Sequence, residues 1–143
     1  MTDRDLGLDS FRAELDFRKR RRDAEAREWR FTTAVFGLLA YSAFANCVTG
    51  LLLVSKSPID AGIGLVLGPL YALGVYRAWY KDDTSWWPVA IPAGITIALL
   101  SLAALGGVFR PLPILLNVVL LVLVPLRSRA VAATKALTSQ AGA

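Results

Sequence analysis

The chain changes from charged to apolar at Arg30. A run of five basic residues occupies positions 18–22, and residues 31–54 then contain no charged side chain. In an α-helix, at about 1.5 Å per residue, a segment of that length extends about 36 Å, which is enough to cross a hydrocarbon core about 30 Å thick. This feature predicts a charged arm that leads directly into a transmembrane helix.

Three further apolar stretches follow, at residues 61–80, 86–105 and 112–126, and the connections between them are five or six residues long. Connections this short make consecutive helices antiparallel. The apolar residues make up 55% of the chain and are concentrated in these stretches. We therefore expect an all-α integral membrane protein, a four-helix transmembrane bundle with a charged N-terminal helical arm (residues 1–30) and a fraying C-terminal tail (residues 127–143).

The basic residues predict the orientation of this bundle. Fourteen of the 16 Lys and Arg residues lie on the arm, around the second connection or on the tail, while only Lys56 and Arg110 lie in the other two connections. Positively charged loops stay in the cytoplasm, so both termini are expected there. The four tryptophans fall at the same predicted edge, as a membrane-interface belt would: Trp29, Trp79, Trp86 and Trp87. The predominance of arginine over lysine and the abundance of alanine suggest a bacterial protein, hence the inner membrane.

Small residues recur every fourth position on the second and third stretches. Such stripes let two helix backbones approach closely, which drives helix association in lipid. We expect these positions to pack inside the bundle or to form the face of a homo-oligomer. The positions are Gly64, Gly68, Ala72, Ala90, Gly94 and Ala98.

Asn46 and Asn117 are the only amide side chains inside the apolar stretches, and both fall near the expected midplane. An unpaired amide is costly in hydrocarbon, so both should face the bundle interior. They would form an interhelical hydrogen bond, with each other or with a Ser or Thr, or they would contribute to a ligand site. No Asp, Glu, Lys or Arg lies at mid-depth, which argues against a transporter coupled to protons or cations.

Several chemistries are excluded by composition. The chain has no histidine and a single cysteine, Cys47, so histidine-ligated haem or zinc and a Ser–His or Cys–His nucleophile are ruled out. We expect no catalytic residue, cofactor or metal site, and hence no enzyme. The net charge of +5 is spread over the membrane edges, which gives no reason to expect a nucleic-acid partner. The basic cluster at positions 18–22 is expected to contact anionic lipid or a partner protein. It consists of Arg18, Lys19, Arg20, Arg21 and Arg22.

These features favour a non-catalytic accessory or scaffold subunit of a larger inner-membrane complex. It would dock other membrane subunits, or a second copy of itself, through the arm and the small-residue faces, with the bilayer and its anionic lipids as the other partners. The alternative is a small oligomeric uncoupled transporter, channel or lipid flippase, with Pro69, Pro92 and the two asparagines around a polar path. A continuous polar cavity between the spans would favour the alternative, and a dry closed core would argue against it.

Overall fold

The computed structural model describes residues 3–80, 85–107 and 110–141. It contains four helices, α1 (Asp3–Leu53), α2 (Pro58–Tyr80), α3 (Trp87–Leu105) and α4 (Pro111–Ala141). Each is long and apolar enough to cross a membrane. The predicted all-helical class with four candidate spans is confirmed, and these are the helices of a multi-pass membrane protein.

The helices form a closed ring in which α1 packs on α2, α2 on α3, α3 on α4, and α4 back on α1. One fully buried residue from each helix marks the centre: Leu39, Tyr71, Ala93 and Leu120, all with at most 1% of their surface exposed. Large apolar side chains such as Phe44 also cover the outside of the bundle. An apolar surface all round a helical bundle suits a lipid environment.

Helix α1 continues from the arm into the first span without a break. Its 51 residues contain no proline and correspond to about 76 Å of helix. On the arm, Arg18 pairs with Glu14 at 2.5 Å and Arg21 pairs with Glu25 at 2.8 Å. Opposite charges four residues apart stabilise a solvated helix modestly. The sequence left open whether the arm is continuous with the first span, and in the structure the two form one helix.

Helix α4 also continues past its apolar stretch. The tail was expected to fray, but α4 extends to Ala141. Ala130 and Val131, both beyond the expected end of the span, are only 6% and 8% exposed. The expectation was wrong because the tail has a surface to pack against.

The α1 arm provides this surface. The side chain of Arg127 in α4 contacts Thr32 in α1, and this contact sets the antiparallel register of the two helices. One turn further from the bundle on each helix, Glu28 of α1 is half-buried and Val131 of α4 is buried. We call the paired segments, residues 11–30 of α1 and 128–140 of α4, the stalk.

Glycines bring α1 and α2 into backbone contact. A Cβ atom added to Gly64 would lie 2.7 Å from the carbonyl oxygen of Asn46 and 2.9 Å from Cα of Gly50. A Cβ on Gly68 would collide with Sγ of Cys47. Neither site has room for any side chain, so Gly64 and Gly68 set the distance between the two helices. Ala72, which continues their spacing, is exposed.

The corresponding stripe on α3 lies largely on the outer surface of the chain. Gly94 and Ala98 are exposed and Ala90 is half-buried. A Cβ added to Gly94 would have no neighbour within 4 Å. Small residues with the same spacing therefore pack against another helix on α2 and lie on the outer surface on α3.

This contrast predicts opposite effects for two glycine-to-alanine substitutions. Gly64→Ala forces α1 and α2 apart and should lower the free energy of unfolding by about 1–3 kcal/mol. Gly94→Ala, the matched control, adds a methyl group in open space and should raise it by up to about 1 kcal/mol through helix propensity. Unfolding by SDS titration in mixed micelles, followed by far-ultraviolet circular dichroism, measures both. Equal stability of the two variants would contradict the close α1–α2 contact.

Candidate functional site

A hydrogen-bonded group links three helices inside the apolar core. The hydroxyl of Tyr71 in α2 lies 2.5 Å from Oδ1 of Asn117 in α4 and 2.9 Å from Oγ1 of Thr96 in α3. Tyr71 is 0% exposed and Asn117 is 4% exposed. Asn117 therefore forms an interhelical hydrogen bond, and its partner is a tyrosine instead of the asparagine, serine or threonine that the sequence suggested.

The hydrogens in this group can be assigned from the number of donors. Nδ2 of Asn117 donates to the carbonyl oxygen of Pro113 at 2.8 Å, so Oδ1 is the acceptor for the Tyr71 hydroxyl. Tyr71 has a single hydroxyl hydrogen, which it donates to Asn117. Thr96 also has a single hydroxyl hydrogen, which is shared between the carbonyl oxygen of Pro92 at 2.8 Å and the Tyr71 oxygen at 2.9 Å. The chain of hydrogen bonds therefore runs from Tyr71 to Asn117 to Pro113, with Thr96 attached through its shared hydrogen. It satisfies the buried amide and locks α2, α3 and α4 together.

A cavity of about 190 Å³, which we call the polar pocket, lies next to this group between α1, α3 and α4. Tyr41 and apolar side chains of the same helices form the rest of its wall. Its polar lining is contributed by Ser42, Asn46, Thr49, Thr96, Arg110 and Asn117. The structure thus brings the two intramembrane asparagines to one pocket, although they do not bond to each other.

Some of the polar groups that line this pocket form hydrogen bonds within the protein, and others do not. Nδ2 of Asn46 donates to the carbonyl oxygen of Ser42 at 2.8 Å. Within the described part of the chain, Oδ1 of Asn46 and the hydroxyls of Ser42 and Thr49 have no hydrogen-bond partner. The guanidinium of Arg110, at the rim, likewise has no ion-pair partner among the described residues. These groups can bind a ligand.

The fully buried side chains Leu39, Tyr71, Ala93 and Leu120, one from each helix, belong to one apolar core cluster. The polar pocket lies beside this cluster, because Tyr71 bonds to Thr96 and Asn117, which line the pocket.

At the opposite end of the bundle, Arg127 is buried, with 6% of its surface exposed. Its Nη2 donates to the carbonyl oxygen of Ala78 at 2.9 Å, and its Nε lies 3.3 Å from Oγ1 of Thr32. Arg127 is held there because the last turn of α2 offers carbonyl groups without helical partners and the negative end of a helix dipole.

The tryptophans lie on the surface at this same end. Trp29 and Trp79 approach each other with ring centroids 6.4 Å apart, and the guanidinium of Arg77 stacks 4.6 Å from the ring centre of Trp87. Trp86, next in the chain to Trp87, is also exposed. Asp82 and Asp83, which follow Arg77 closely in the sequence, lie outside the described residues.

A second cavity, about 370 Å³ in volume, opens between the foot of the stalk and the end of α2. Glu25 and Glu28 line it from α1, and Trp79 and Arg127 line it from α2 and α4. It combines both signs of charge with an aromatic surface at the membrane edge.

The basic cluster on the arm is only partly neutralised. Arg18 and Arg21 form the two ion pairs described above. Lys19, Arg20 and Arg22 are exposed and have no acidic partner among the described residues. Three cations on one segment of the arm are therefore available for an external partner.

The chain matches no family model, and no curated protein or solved structure is significantly similar to it. Among the residues that the structure describes, no three Cys, His, Asp or Glu side chains lie close enough together to hold a metal ion. The features of the chain that bear on function are therefore the stalk, the two cavities and the buried core.

The donor chain predicts that Tyr71→Phe destabilises the bundle. Loss of the hydroxyl leaves Oδ1 of Asn117 without a donor in the core and should lower the free energy of unfolding by about 1–3 kcal/mol. Tyr41→Phe is the matched control, because Tyr41 is 54% exposed and should change stability by less than about 0.5 kcal/mol. Mixed-micelle SDS titration tests this, and equal stability of the two variants would show that the buried hydroxyl is dispensable.

Arg127 gives a second stability prediction. Arg127→Gln removes the donor to Ala78 and should lower the free energy of unfolding by about 1–3 kcal/mol. Arg129→Gln removes the same charge from an exposed position and should change it by less than about 0.5 kcal/mol. Thermal unfolding in detergent compares them; a similar loss in both variants would mean that only net charge matters.

Proposed function

We propose that this chain is a non-catalytic accessory or scaffold subunit of a larger complex in a bacterial inner membrane. The observation that carries the proposal is the unbroken helix α1, which joins a charged arm rigidly to the first span. A rigid arm transmits position from the membrane bundle to a bound partner, which a flexible tether does not. The stalk is the docking element.

The distribution of charge supports a cytoplasmic stalk. The arm, the second connection and the α4 tail all lie at the end of the bundle from which the stalk extends. Together they hold fourteen of the 16 Lys and Arg residues. The positive-inside rule then assigns both termini to the cytoplasm. The exposed Trp29, Trp79, Trp86 and Trp87 at that end suit a membrane-interface belt.

The length of the arm favours a protein partner over lipid for the basic cluster. With Phe31 at the hydrocarbon edge, an upright α1 carries residues 18–22 about 14–20 Å beyond it. The headgroup layer is about 5–8 Å thick and the Debye length in the cell is about 8 Å. Lys19, Arg20 and Arg22 therefore face a partner with an acidic surface more readily than they face the membrane.

The closed core supports a scaffold over a pore. A channel, uncoupled transporter or flippase formed by one chain needs a polar path past Tyr71 and Leu39, and those side chains are fully buried in the apolar core cluster. In the transport alternative, the polar pocket would form half of a polar path. The exposed α3 positions Gly94 and Ala98 would form the contact face between copies of the chain in an oligomer. This alternative is the competing outcome of the experiment below.

The test is affinity purification of the tagged full chain from native membranes into lipid nanodiscs, followed by mass determination of the complex. We expect other subunits in fixed stoichiometry. Replacing Lys19, Arg20 and Arg22 together by glutamine should release at least about nine-tenths of the partner, because the paired charges across a docking interface are lost. The matched control replaces Arg27, Arg129 and Lys135 by glutamine, which removes the same charge at the same end of the bundle.

Recovery of the protein alone as a homo-oligomer would overturn the scaffold proposal and favour the transport alternative. Equal release by the two triple variants would show that net charge, and not the cluster at positions 18–22, holds the partner. Fluorescent labelling of single cysteines placed at either end of the bundle checks that neither variant inverts the topology.

A further inference from the structure

The polar pocket has a positively charged rim. Arg110 is the charged residue among the described residues that line it, and no carboxylate is among them. The Arg110 side chain is exposed and has no ion-pair partner in the described part of the chain. A guanidinium at a membrane edge attracts an anion, and its planar fork matches the oxygens of a phosphate.

The deeper part of the pocket has a different chemistry. From Arg110 to Asn117 the chain advances about 10 Å along α4. At this depth Oδ1 of Asn46 can only accept a hydrogen bond, while the hydroxyls of Ser42 and Thr49 can accept or donate. The group that meets Asn46 must therefore donate, as an alcohol does and a phosphate oxygen does not.

The volume limits the size of the ligand. At about 30 Å³ per water molecule, the pocket of about 190 Å³ has room for about six waters. Pockets for drug-sized ligands start at about 300 Å³. The space therefore suits a small polar head whose apolar remainder stays outside, in the bilayer.

From this combination we propose that the polar pocket binds a phosphate group with a short hydroxylated substituent, the chemistry of a glycerol-phosphate head. Arg110 binds the phosphate at the rim, and Asn46, Ser42 and Thr49 bind the hydroxyl groups below it. The same chemistry is offered by an anionic phosphoglycerol lipid in the facing leaflet and by soluble glycerol phosphate. The proposal does not depend on the docking function of the stalk, because the two sites lie at opposite ends of the bundle.

Native mass spectrometry of the full chain in detergent micelles tests this with dioleoyl phosphatidylglycerol and, as the neutral reference, dioleoyl phosphatidylcholine. We expect one phosphatidylglycerol per chain to be retained over phosphatidylcholine. Arg110→Gln should weaken this binding at least about tenfold, because it removes a charge-assisted contact. Thr49→Val should weaken it about twofold to fivefold, since one neutral hydrogen bond is lost. Arg129→Gln is the matched charge control and should leave it unchanged.

Soluble glycerol 3-phosphate distinguishes the two sources. If it displaces the lipid at millimolar concentration, the head alone is recognised; if it does not, the lipid itself is the ligand, and both results support the site. The proposal is overturned if phosphatidylglycerol is not preferred over phosphatidylcholine, or if Arg110→Gln and Arg129→Gln weaken binding equally. Circular dichroism of each variant separates a lost site from a lost fold, and Thr49→Val alters an exposed side chain that the fold does not need.

Discussion

The hydrogen-bond chain from Thr96 through Tyr71 to Asn117 is the interaction on which the bundle most depends. Between lipid-embedded helices the hydrophobic effect supplies little attraction, because lipid is as apolar as the helix surface, so close packing and hydrogen bonds must hold them. This chain joins α2, α3 and α4 at the core cluster that contains Leu39, Tyr71, Ala93 and Leu120. Helix α1 is held by close packing, through its backbone contact with α2 at Gly64 and Gly68. The hydrogen bonds and the close packing together hold the four helices in a ring.

The two ends of the bundle, on either side of this core cluster, have different chemistry. At one end Arg127 binds the last turn of α2 and contacts Thr32, which anchors the point where α1 and α4 leave the bundle together. This anchoring makes the stalk an extension of the bundle and not a pair of loose tails. At the other end lies the polar pocket, whose hydroxyl and amide groups are only partly used by the protein. A core closed between two such ends fits a protein that binds separately at each membrane face.

The sequence predicted the four spans well, because helix length and hydropathy are local properties that a bilayer tests directly. It could not predict which small residues pack, since Gly64 and Gly94 have the same spacing and differ only in their neighbours. Tyr71 was missed because its partners lie 25 and 46 positions away, and a lone tyrosine in an apolar stretch resembles an interface residue. The bond of Arg127 could not be predicted for the same reason, as its acceptor on Ala78 is 49 positions away.

Asn46 and Asn117 show how far such residues can be interpreted. In each, Nδ2 donates a hydrogen bond to the carbonyl oxygen four residues earlier on the same helix, at 2.8 Å in both cases. For Asn117 the remaining oxygen is bound by Tyr71, so the side chain is fully accounted for by packing. For Asn46 the remaining oxygen faces the polar pocket, and no described residue donates to it. If both asparagines served stability alone, Asn46 would be expected to have a protein donor as well, because an unmet amide oxygen at that depth has a cost. That cost is offset when a donor enters from outside the chain, which is why the pocket is better explained by a bound polar head than by imperfect packing.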